Sequence, residues 1–260
     1  MKKLLIAAVT VAVGLGLGPV GAQEMMKVRL GTEGAYPPFN ALDSDGKLIG
    51  FDIEIGDALC AAAKLDCEWV VQDWDGMIPG LTSEKYDAIL ASMSITAERQ
   101  EVIDFSDAYY QEAAALVAAE GTEFKGSLKD TVAGKIVGAQ SGTTHENYAK
   151  DKFGDVAEIK SYDTVEQAHL DLTTGRIDFF TDGAIAVTGG FLETDLGKGY
   201  AFVGETFNDV TYHGDGAGIG VRKGEAELLA TFNDAIKAIR ESGVYQEISV
   251  KHHGFDIFGE

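Results

Sequence analysis

Apolar and polar residues alternate along the chain in a way that predicts strands and helices in turn. Short apolar runs predict strands at residues 27–31, 68–72, 87–91, 135–140, 158–162 and 177–181. Helical spacing predicts helices over residues 51–64 and 164–172, and a longer one that ends near Gly243. The apolar face of this last helix is predicted to carry Leu229, Phe232, Ile236 and Ile239. Such alternation is typical of α/β units built on a largely parallel sheet.

Two polar or glycine-rich segments interrupt this alternation, around residues 111–127 and 205–216. The segment between them contains enough strands and helices for a lobe of its own. The pattern therefore predicts a second lobe over residues 113–207. The first lobe is then discontinuous, with residues 23–112 and 208–260, and two connecting strands join the lobes.

The first 22 residues have the composition of a secretory leader. Two lysines follow the initiating methionine, and an apolar run over residues 4–18 is too short to span a bilayer. Small residues precede a cleavage point between Ala22 and Gln23. An uncleaved anchor is the alternative, but no stop-transfer pattern follows. The sequence therefore predicts a signal peptide over residues 1–22 and export to the periplasm.

The charge of the chain limits the partners that it can have. It contains 21 Lys and Arg against 42 Asp and Glu, a formal net charge of −21. Nucleic acid and anionic membrane surfaces are poor partners for such a field. Solubility in a salty medium accounts for the excess of acid. Steering of a cationic ligand is an alternative that net charge alone does not establish.

Two cysteines, Cys60 and Cys67, lie close together in the part that would be exported. In an oxidising compartment such a pair favours a local disulfide over a metal site, which would need further ligands at suitable spacing. We expect the bridge to join the end of a helix to the strand that follows. No metal and no cofactor are expected.

Several motifs appear in a fixed order along the chain. They are GFDIEI at residues 50–55, DAILASMSITAERQ at 87–100, GAQSGTT at 138–144 and DLTTGRID at 171–178. Together they resemble the polar amino-acid family of periplasmic solute-binding proteins. GTEGAY at residues 31–36, QDWDG at 72–76 and the cysteine pair are similar to segments of its lysine/arginine/ornithine, histidine and opine binding branch.

The resemblance implies a two-lobed periplasmic-binding-protein fold of type II. Each lobe would be a mostly parallel sheet flanked by helices, and two hinge strands would join the lobes. The ligand would be a free amino acid, held at the carboxyl ends of the strands while the lobes close on it. The partner would be an ABC transporter permease in the inner membrane, and the chain would be a monomer.

Both charged ends of the amino acid need partners in such a site. The resemblance implies that Arg99 binds the α-carboxylate, with backbone N–H groups near Ser94 and Thr144, because a guanidinium can make two parallel bonds to a carboxylate. It implies that Asp182 binds the α-ammonium, helped by the Ser92 carbonyl and the Ser94 hydroxyl. A helix N-cap is the ordinary alternative for an aspartate at that point.

The ligand's side chain is predicted from three further residues. Glu33 takes the place of an acid that meets a distal cation in relatives that bind basic amino acids, and Tyr36 and Trp74 would flank the side chain with aromatic faces. They favour arginine, lysine or ornithine. An acid at this position also occurs in relatives that bind neutral ligands, so glutamine, histidine or an opine is the alternative. Ala91 and Gln140 depart from residues found in some relatives.

The complete predicted ligand site consists of Glu33, Tyr36, Trp74, Ala91, Ser92, Met93, Ser94, Arg99, Gln140, Thr143, Thr144 and Asp182. His145 is expected to be exposed in a first helical turn, with a position at the edge of the ligand pocket as the alternative, because it follows Thr143 and Thr144. His252 and His253 are expected at the surface. We do not expect the chain to be an enzyme. A dehydratase on the same fold would need an acid or base in place of the amino-acid site, and a sensor domain would need a membrane span or kinase segment.

Overall fold

The computed structural model describes residues 25–259, and the predicted leader at residues 1–22 lies outside them. A first five-stranded sheet has the order β5-β1-β6-β13-β7, and a small three-stranded sheet, β2-β3-β4, lies beside it. These strands are β1 (Lys27–Thr32), β2 (Ala35–Tyr36), β3 (Asn40–Leu42), β4 (Leu48–Ile49), β5 (Asp66–Val71), β6 (Ala88–Ile89), β7 (Ile103–Phe105) and β13 (Gly220–Arg222).

A second five-stranded sheet has the order β10-β9-β11-β8-β12. Its strands are β8 (Ala114–Ala119), β9 (Ile136–Gln140), β10 (Glu158–Tyr162), β11 (Phe179–Gly183) and β12 (Tyr200–Phe202). In both sheets the first three strands are mutually parallel, and the fourth, β13 or β8, is antiparallel to both of its neighbours. The predicted two-lobed α/β fold is confirmed, with mixed sheets.

The chain crosses between the two sheets twice, and the two crossings run side by side. Tyr110 bridges Ala217 and Ala114 bridges Phe207, both antiparallel. The first crossing is shorter than predicted because residues 114–119 form the buried strand β8. That segment is a continuous apolar run, the pattern of a strand covered on both faces. The lobe boundaries after residues 112 and 207 stay predictions.

Helices cover both faces of the sheets. Those of the first lobe are α1 (Phe51–Ala63), α2 (Met77–Thr82), α3 (Ala97–Gln100), α9 (Ala226–Glu241) and α10 (Val244–His253). Those of the second are α4 (Leu128–Val132), α5 (Thr144–Phe153), α6 (Val165–Thr173) and α7 (Ala184–Val187), and α8 (Val210–His213) lies in the second crossing. Over residues 25–259, no helix combines the length and apolarity needed to span a bilayer.

Alternate strand residues enter different hydrophobic clusters, as the period of a strand requires. In β6, Ala88 belongs to the cluster packed under α1 and α9, whereas Ile89 belongs to the cluster under α2. In β8, the neighbouring residues Val117 and Leu116 likewise belong to two different clusters. Each sheet is therefore buried on both faces.

The apolar stripe predicted for α9 is confirmed at Phe232, Ile236 and Ile239, which are buried against α1. Leu228 is the buried residue at the start of the stripe, and Leu229 is partly exposed. The stripe is displaced by one residue at its first turn, where the helix begins at Ala226.

The predicted disulfide is confirmed: Cys60 in α1 is bonded to Cys67 in β5. The surface position expected for His252 and His253 is wrong. Both side chains are partly buried on α10, and the His253 ring lies 5.3 Å from that of Phe39 and 5.0 Å from that of Phe51 between centroids. Burial lowers the pKa of His253 to about 4. The reason is that both histidines lie on α10, a helix for which we made no prediction, and are turned towards the protein interior.

Candidate functional site

A cleft lies between the two sheets. It is lined by Glu33, Tyr36, Trp74, Ala91, Ser92, Ser94, Arg99, Gln140, Thr143, Thr144, His145 and Asp182. All predicted ligand-site residues except Met93 are among them. Several follow or end strands of the two sheets, where open α/β sheets place their ligands. The cleft therefore draws side chains from both lobes.

Met93 is the predicted site residue that the structure places elsewhere. Its side chain is buried in the cluster that contains Met77 and Tyr86. Its carbonyl accepts a hydrogen bond from the Gly218 N–H at 3.0 Å. Ser92 and Ser94 on either side line the cleft, whereas the Met93 side chain is directed into the hydrophobic cluster.

Arg99 is positioned by the short helix α3. Thr96 caps this helix, accepting a hydrogen bond from the Arg99 N–H at 3.3 Å. The guanidinium donates to the Ser94 carbonyl at 2.9 Å and to the Gly142 carbonyl at 3.3 Å, and lies 5.3 Å from the ring centroid of Trp74. Burial lowers the pKa of Arg99 to about 10, so the group is still charged at neutral pH.

The charge of Arg99 has no carboxylate partner among the described residues. Its hydrogen bonds go to two neutral carbonyls, and no salt bridge joins it to an Asp or Glu of residues 25–259. A buried cation without a counter-ion is costly, and a bound carboxylate would relieve that cost. The geometry thus fits an anion on the cleft side of Arg99.

Asp182 presents a buried carboxylate in the same cleft. Its Oδ1 accepts hydrogen bonds from the Gly183 N–H at 2.8 Å and from the Tyr36 hydroxyl at 3.0 Å. No lysine or arginine among the described residues pairs with it, and burial raises its pKa to about 7. Asp182 is a residue of strand β11, not the cap of α7, whose N-cap is Gly183.

His145 also lines the cleft, contrary to the expectation that it is exposed. Its side chain is 14% exposed, and Nε2 lies 3.3 Å from Oδ1 of Asp182. Burial and the nearby His213 lower the pKa of His145 to about 3, so its ring is neutral. A first-turn residue is ordinarily exposed, but α5 begins at Thr144, inside the cleft. In the sequence, His145 directly follows the predicted site residues Thr143 and Thr144, and this was the feature that could have indicated its place in the cleft.

Glu33 and Gln140 meet at another part of the cleft wall. Glu33 follows β1, is 6% exposed, and accepts a hydrogen bond from Gln140 Nε2 at 2.6 Å. Burial raises the pKa of Glu33 to about 7, although the Gln140 bond acts in the opposite direction. Gln140 ends strand β9, so this bond joins the two sheets.

Ser92 has a left-handed backbone conformation, with φ of 53°. Its N–H donates to the Tyr109 hydroxyl at 2.9 Å, and its own hydroxyl donates to Asp52 at 2.9 Å. Asp52 is fully buried and also accepts from Tyr109 at 2.8 Å and from Asn40 at 2.8 Å. This network holds Ser92 in a conformation that a residue with a Cβ rarely adopts.

Asp52 lies in the GFDIEI motif, but the sequence indicated no role for it. The structure makes it the acceptor that supports the cleft residue Ser92 from behind. Desolvation raises the pKa of Asp52 to about 6. Within residues 25–259, no group of three or more His, Cys, Asp or Glu side chains is arranged to hold a metal ion.

Comparison with known proteins gives a consistent result. Residues 28–255 match the family of bacterial extracellular solute-binding proteins, family 3. The L-arginine-binding protein of Pseudomonas aeruginosa is 43% identical over 261 residues, which span 100% of this chain and 99% of that protein. The lysine/arginine/ornithine-binding periplasmic protein of Escherichia coli is 37% identical over 262 residues, 100% of both chains. A Salmonella typhimurium periplasmic binding protein described for high arginine specificity superposes with a TM-score of 0.81 at 31% identity, covering 88% of this chain and 99% of that one.

Proposed function

The chain belongs to family 3 of the bacterial extracellular solute-binding proteins, and we propose that it binds one free basic amino acid in the cleft between its lobes. The observation that carries the proposal is the set of buried charges left without protein counter-ions. Arg99 has only neutral carbonyls as partners, and Asp182 and Glu33 have no lysine or arginine partner among the described residues. A ligand with the opposite charges would neutralise all three.

The α-amino acid group accounts for two of these charges. Its carboxylate would bind Arg99, with backbone N–H groups near Ser94 and Thr144, and its ammonium would bind Asp182. The Ser92 carbonyl and Ser94 hydroxyl would accept the remaining ammonium hydrogens. Arg99 and Asp182 belong to different sheets, so the zwitterion would be fully paired only when the lobes are together.

The third charge, that of Glu33, favours a ligand with a cationic side chain. Ionised Glu33 gives the cleft a net charge of −1, and arginine, lysine or ornithine carries +1. Tyr36 and Trp74 line the same cleft, and their rings would cover the aliphatic stem of the ligand. The named ligands of the 43% and 37% identical relatives are arginine, and lysine, arginine and ornithine. Both arguments support a basic ligand.

We further propose that the chain acts outside the cytoplasm and releases its ligand unchanged to an ABC transporter permease. Family membership and the predicted leader at residues 1–22 support this location. The polar groups of the cleft complement a bound zwitterion, which favours reversible binding over catalysis. A monomer would suffice, because both halves of the site come from one chain.

The test is binding by mature protein that has been unfolded, dialysed and refolded with its disulfide intact. Thermal unfolding would be followed with single L-amino acids, octopine and nopaline at millimolar concentration. A ligand that binds only folded protein raises the melting temperature. We expect shifts with arginine, lysine or ornithine. A shift with glutamine alone would contradict the basic-ligand assignment, and no shift with any of them would contradict amino-acid binding.

A further inference from the structure

Gln140 is held in one orientation by two acceptors. Its Nε2 donates to Glu33 Oε1 at 2.6 Å and to the Asp163 carbonyl at 3.0 Å. The Asp163 backbone oxygen can only accept, so the amide nitrogen must face it. If the amide were flipped, the Gln140 side-chain oxygen would face the Asp163 carbonyl oxygen, and neither could donate a hydrogen bond. The side chain is almost fully buried, at 4% exposure, which opposes a rotation that would avoid this contact.

The orientation leaves the amide oxygen as the remaining polar atom. Both hydrogens of Nε2 are used, and no donor within residues 25–259 contacts Oε1. Gln140 lines the cleft beside Glu33, whose carboxylate also presents only acceptors when it is ionised. This end of the cleft therefore offers acceptors from both lobes and no side-chain donor from either residue.

We propose that Gln140 is a specificity-determining residue that makes this end of the cleft accept end groups carrying several N–H donors and reject end groups carrying a carbonyl oxygen. The inference rests on the proposed function and sharpens its ligand class. A guanidinium has five N–H groups in a plane and no acceptor, so it can meet Glu33 and Gln140 Oε1 together.

Other end groups are predicted to fit less well. Citrulline has the shape of arginine but carries a urea oxygen, which would face an acceptor that cannot turn. Glutamine carries an amide oxygen with the same disadvantage. Lysine and ornithine end in one ammonium, whose three N–H donors share a single nitrogen, whereas a guanidinium spreads five over a plane and can reach Glu33 and Gln140 Oε1 at separate points, so we expect lysine and ornithine to depend less on Gln140. The residue thus discriminates between ligands of the same length and between two kinds of cation.

The experiment measures dissociation constants of arginine, lysine and citrulline by calorimetry for three proteins. These are the wild type, Gln140→Leu and the matched control Gln167→Leu, which changes an exposed glutamine on α6 whose side chain makes no hydrogen bond to a described residue. We expect Gln140→Leu to weaken arginine about tenfold or more, the effect of losing a hydrogen bond to a charged group. Lysine should change less than about threefold. The arginine-to-citrulline preference should fall by about tenfold, and the control should match the wild type.

Two results would overturn the inference while leaving the proposed function in place. An equal loss for all three ligands would mean that Gln140 only supports the fold of the cleft. An unchanged arginine-to-citrulline ratio would mean that the amide oxygen does not contact the end group. If the wild type binds neither arginine nor lysine, the proposed function itself fails, and this inference fails with it.

Discussion

His145 and Asp182 lie next to each other in the part of the cleft wall formed by the second lobe, with 3.3 Å between Nε2 of the histidine and Oδ1 of the aspartate. The same oxygen accepts hydrogen bonds from Tyr36 and Gly183. Because burial keeps the histidine neutral, it can donate a hydrogen bond without neutralising the carboxylate. We infer that His145 orients Asp182 and leaves its charge for a ligand.

Replacing His145 tests this role. We expect His145→Ala to weaken amino-acid binding about tenfold, because Asp182 loses the imidazole whose Nε2 lies 3.3 Å from Oδ1. His145→Gln should recover part of the loss, since its amide N–H can replace the ring N–H. The loss should be the same at pH 5.5 and pH 8, because the histidine pKa of about 3 lies below both. A loss that grows towards low pH would show that the ring ionises and would contradict the assigned role.

Arg99→Ala should abolish measurable binding of every amino acid in calorimetry. The α-carboxylate would be left desolvated without a charged partner, a loss that exceeds about 3 kcal/mol. Arg99→Lys should bind weakly, since an ammonium cannot make two parallel bonds to a carboxylate. The exposed Arg176→Ala is the control and should bind normally. Unchanged affinity in Arg99→Ala would remove the carboxylate assignment.

Glu33→Gln should discriminate between ligands by charge. We expect arginine, lysine and ornithine to lose at least about tenfold in affinity, because their distal cation loses its carboxylate. Neutral ligands such as glutamine should lose less than about threefold. Competition against one labelled ligand would compare them on a single scale. An equal loss for cationic and neutral ligands would show that Glu33 has only a structural role.

Affinity for a basic amino acid should increase from pH 5.5 to pH 8. Burial raises the pKa of Glu33 and of Asp182 to about 7, so both are largely protonated at the lower pH. A cationic ligand requires them ionised, and its binding should release protons. Calorimetry in two buffers of different ionisation enthalpy would count these protons, and Glu33→Gln should release fewer. An affinity that does not change with pH would contradict the prediction.

The same two carboxyls should affect stability in the opposite direction in ligand-free protein. Their folded pKa values exceed the unfolded ones, so between about pH 4 and pH 7 the folded state holds protons that the unfolded chain has released. Their contribution to the free energy of unfolding is present at low pH and is lost as the pH rises through about 7. Urea denaturation of Asp182→Asn and of the wild type at several pH values would measure the contribution of Asp182 to the free energy of unfolding. A contribution that increases with pH would contradict it.

Tyr109→Phe should destabilise the fold more than an equivalent change elsewhere. It removes the hydroxyl that donates to Asp52 Oδ1 and accepts from the Ser92 N–H, so each of these two buried atoms loses a hydrogen-bond partner. We expect a loss of about 1–3 kcal/mol for the groups left unsatisfied. Tyr200→Phe is the matched control, because its hydroxyl makes a single bond, to the Leu172 carbonyl, at a partly exposed site. Equal losses in the two variants would contradict a special role for the network.

Much of the cleft was predictable because its residues follow strands in recognisable motifs. Arg99 after the Ser94 turn and Asp182 at the end of an apolar run were assigned from the resemblance of their motifs to a known family. Their meeting in one cavity follows from the rule that ligands lie at the carboxyl ends of strands. The prediction failed where burial depends on distant segments. His145 is covered by His213 from the second crossing, 5.3 Å away between ring centroids, and local sequence does not carry that contact.

The shortest strands also could not be predicted from the sequence. The small sheet that contains Tyr36 has strands of two or three residues, too short for any periodicity to be seen. The partners of Asp52 come from three separate segments, so its motif was recognisable but its role was not. Strand β8 was predicted as part of a crossing because its neighbours are polar.

Strand β13 lies between β6 and β7, although more than a hundred residues separate it from both in the chain. A chain synthesised from its amino end can assemble the whole second sheet before residues 220–222 become available. The first sheet keeps a gap until they arrive. We therefore expect an ordered history, in which the second lobe is finished early, the first is completed last, and the cleft forms only when almost the entire chain is present.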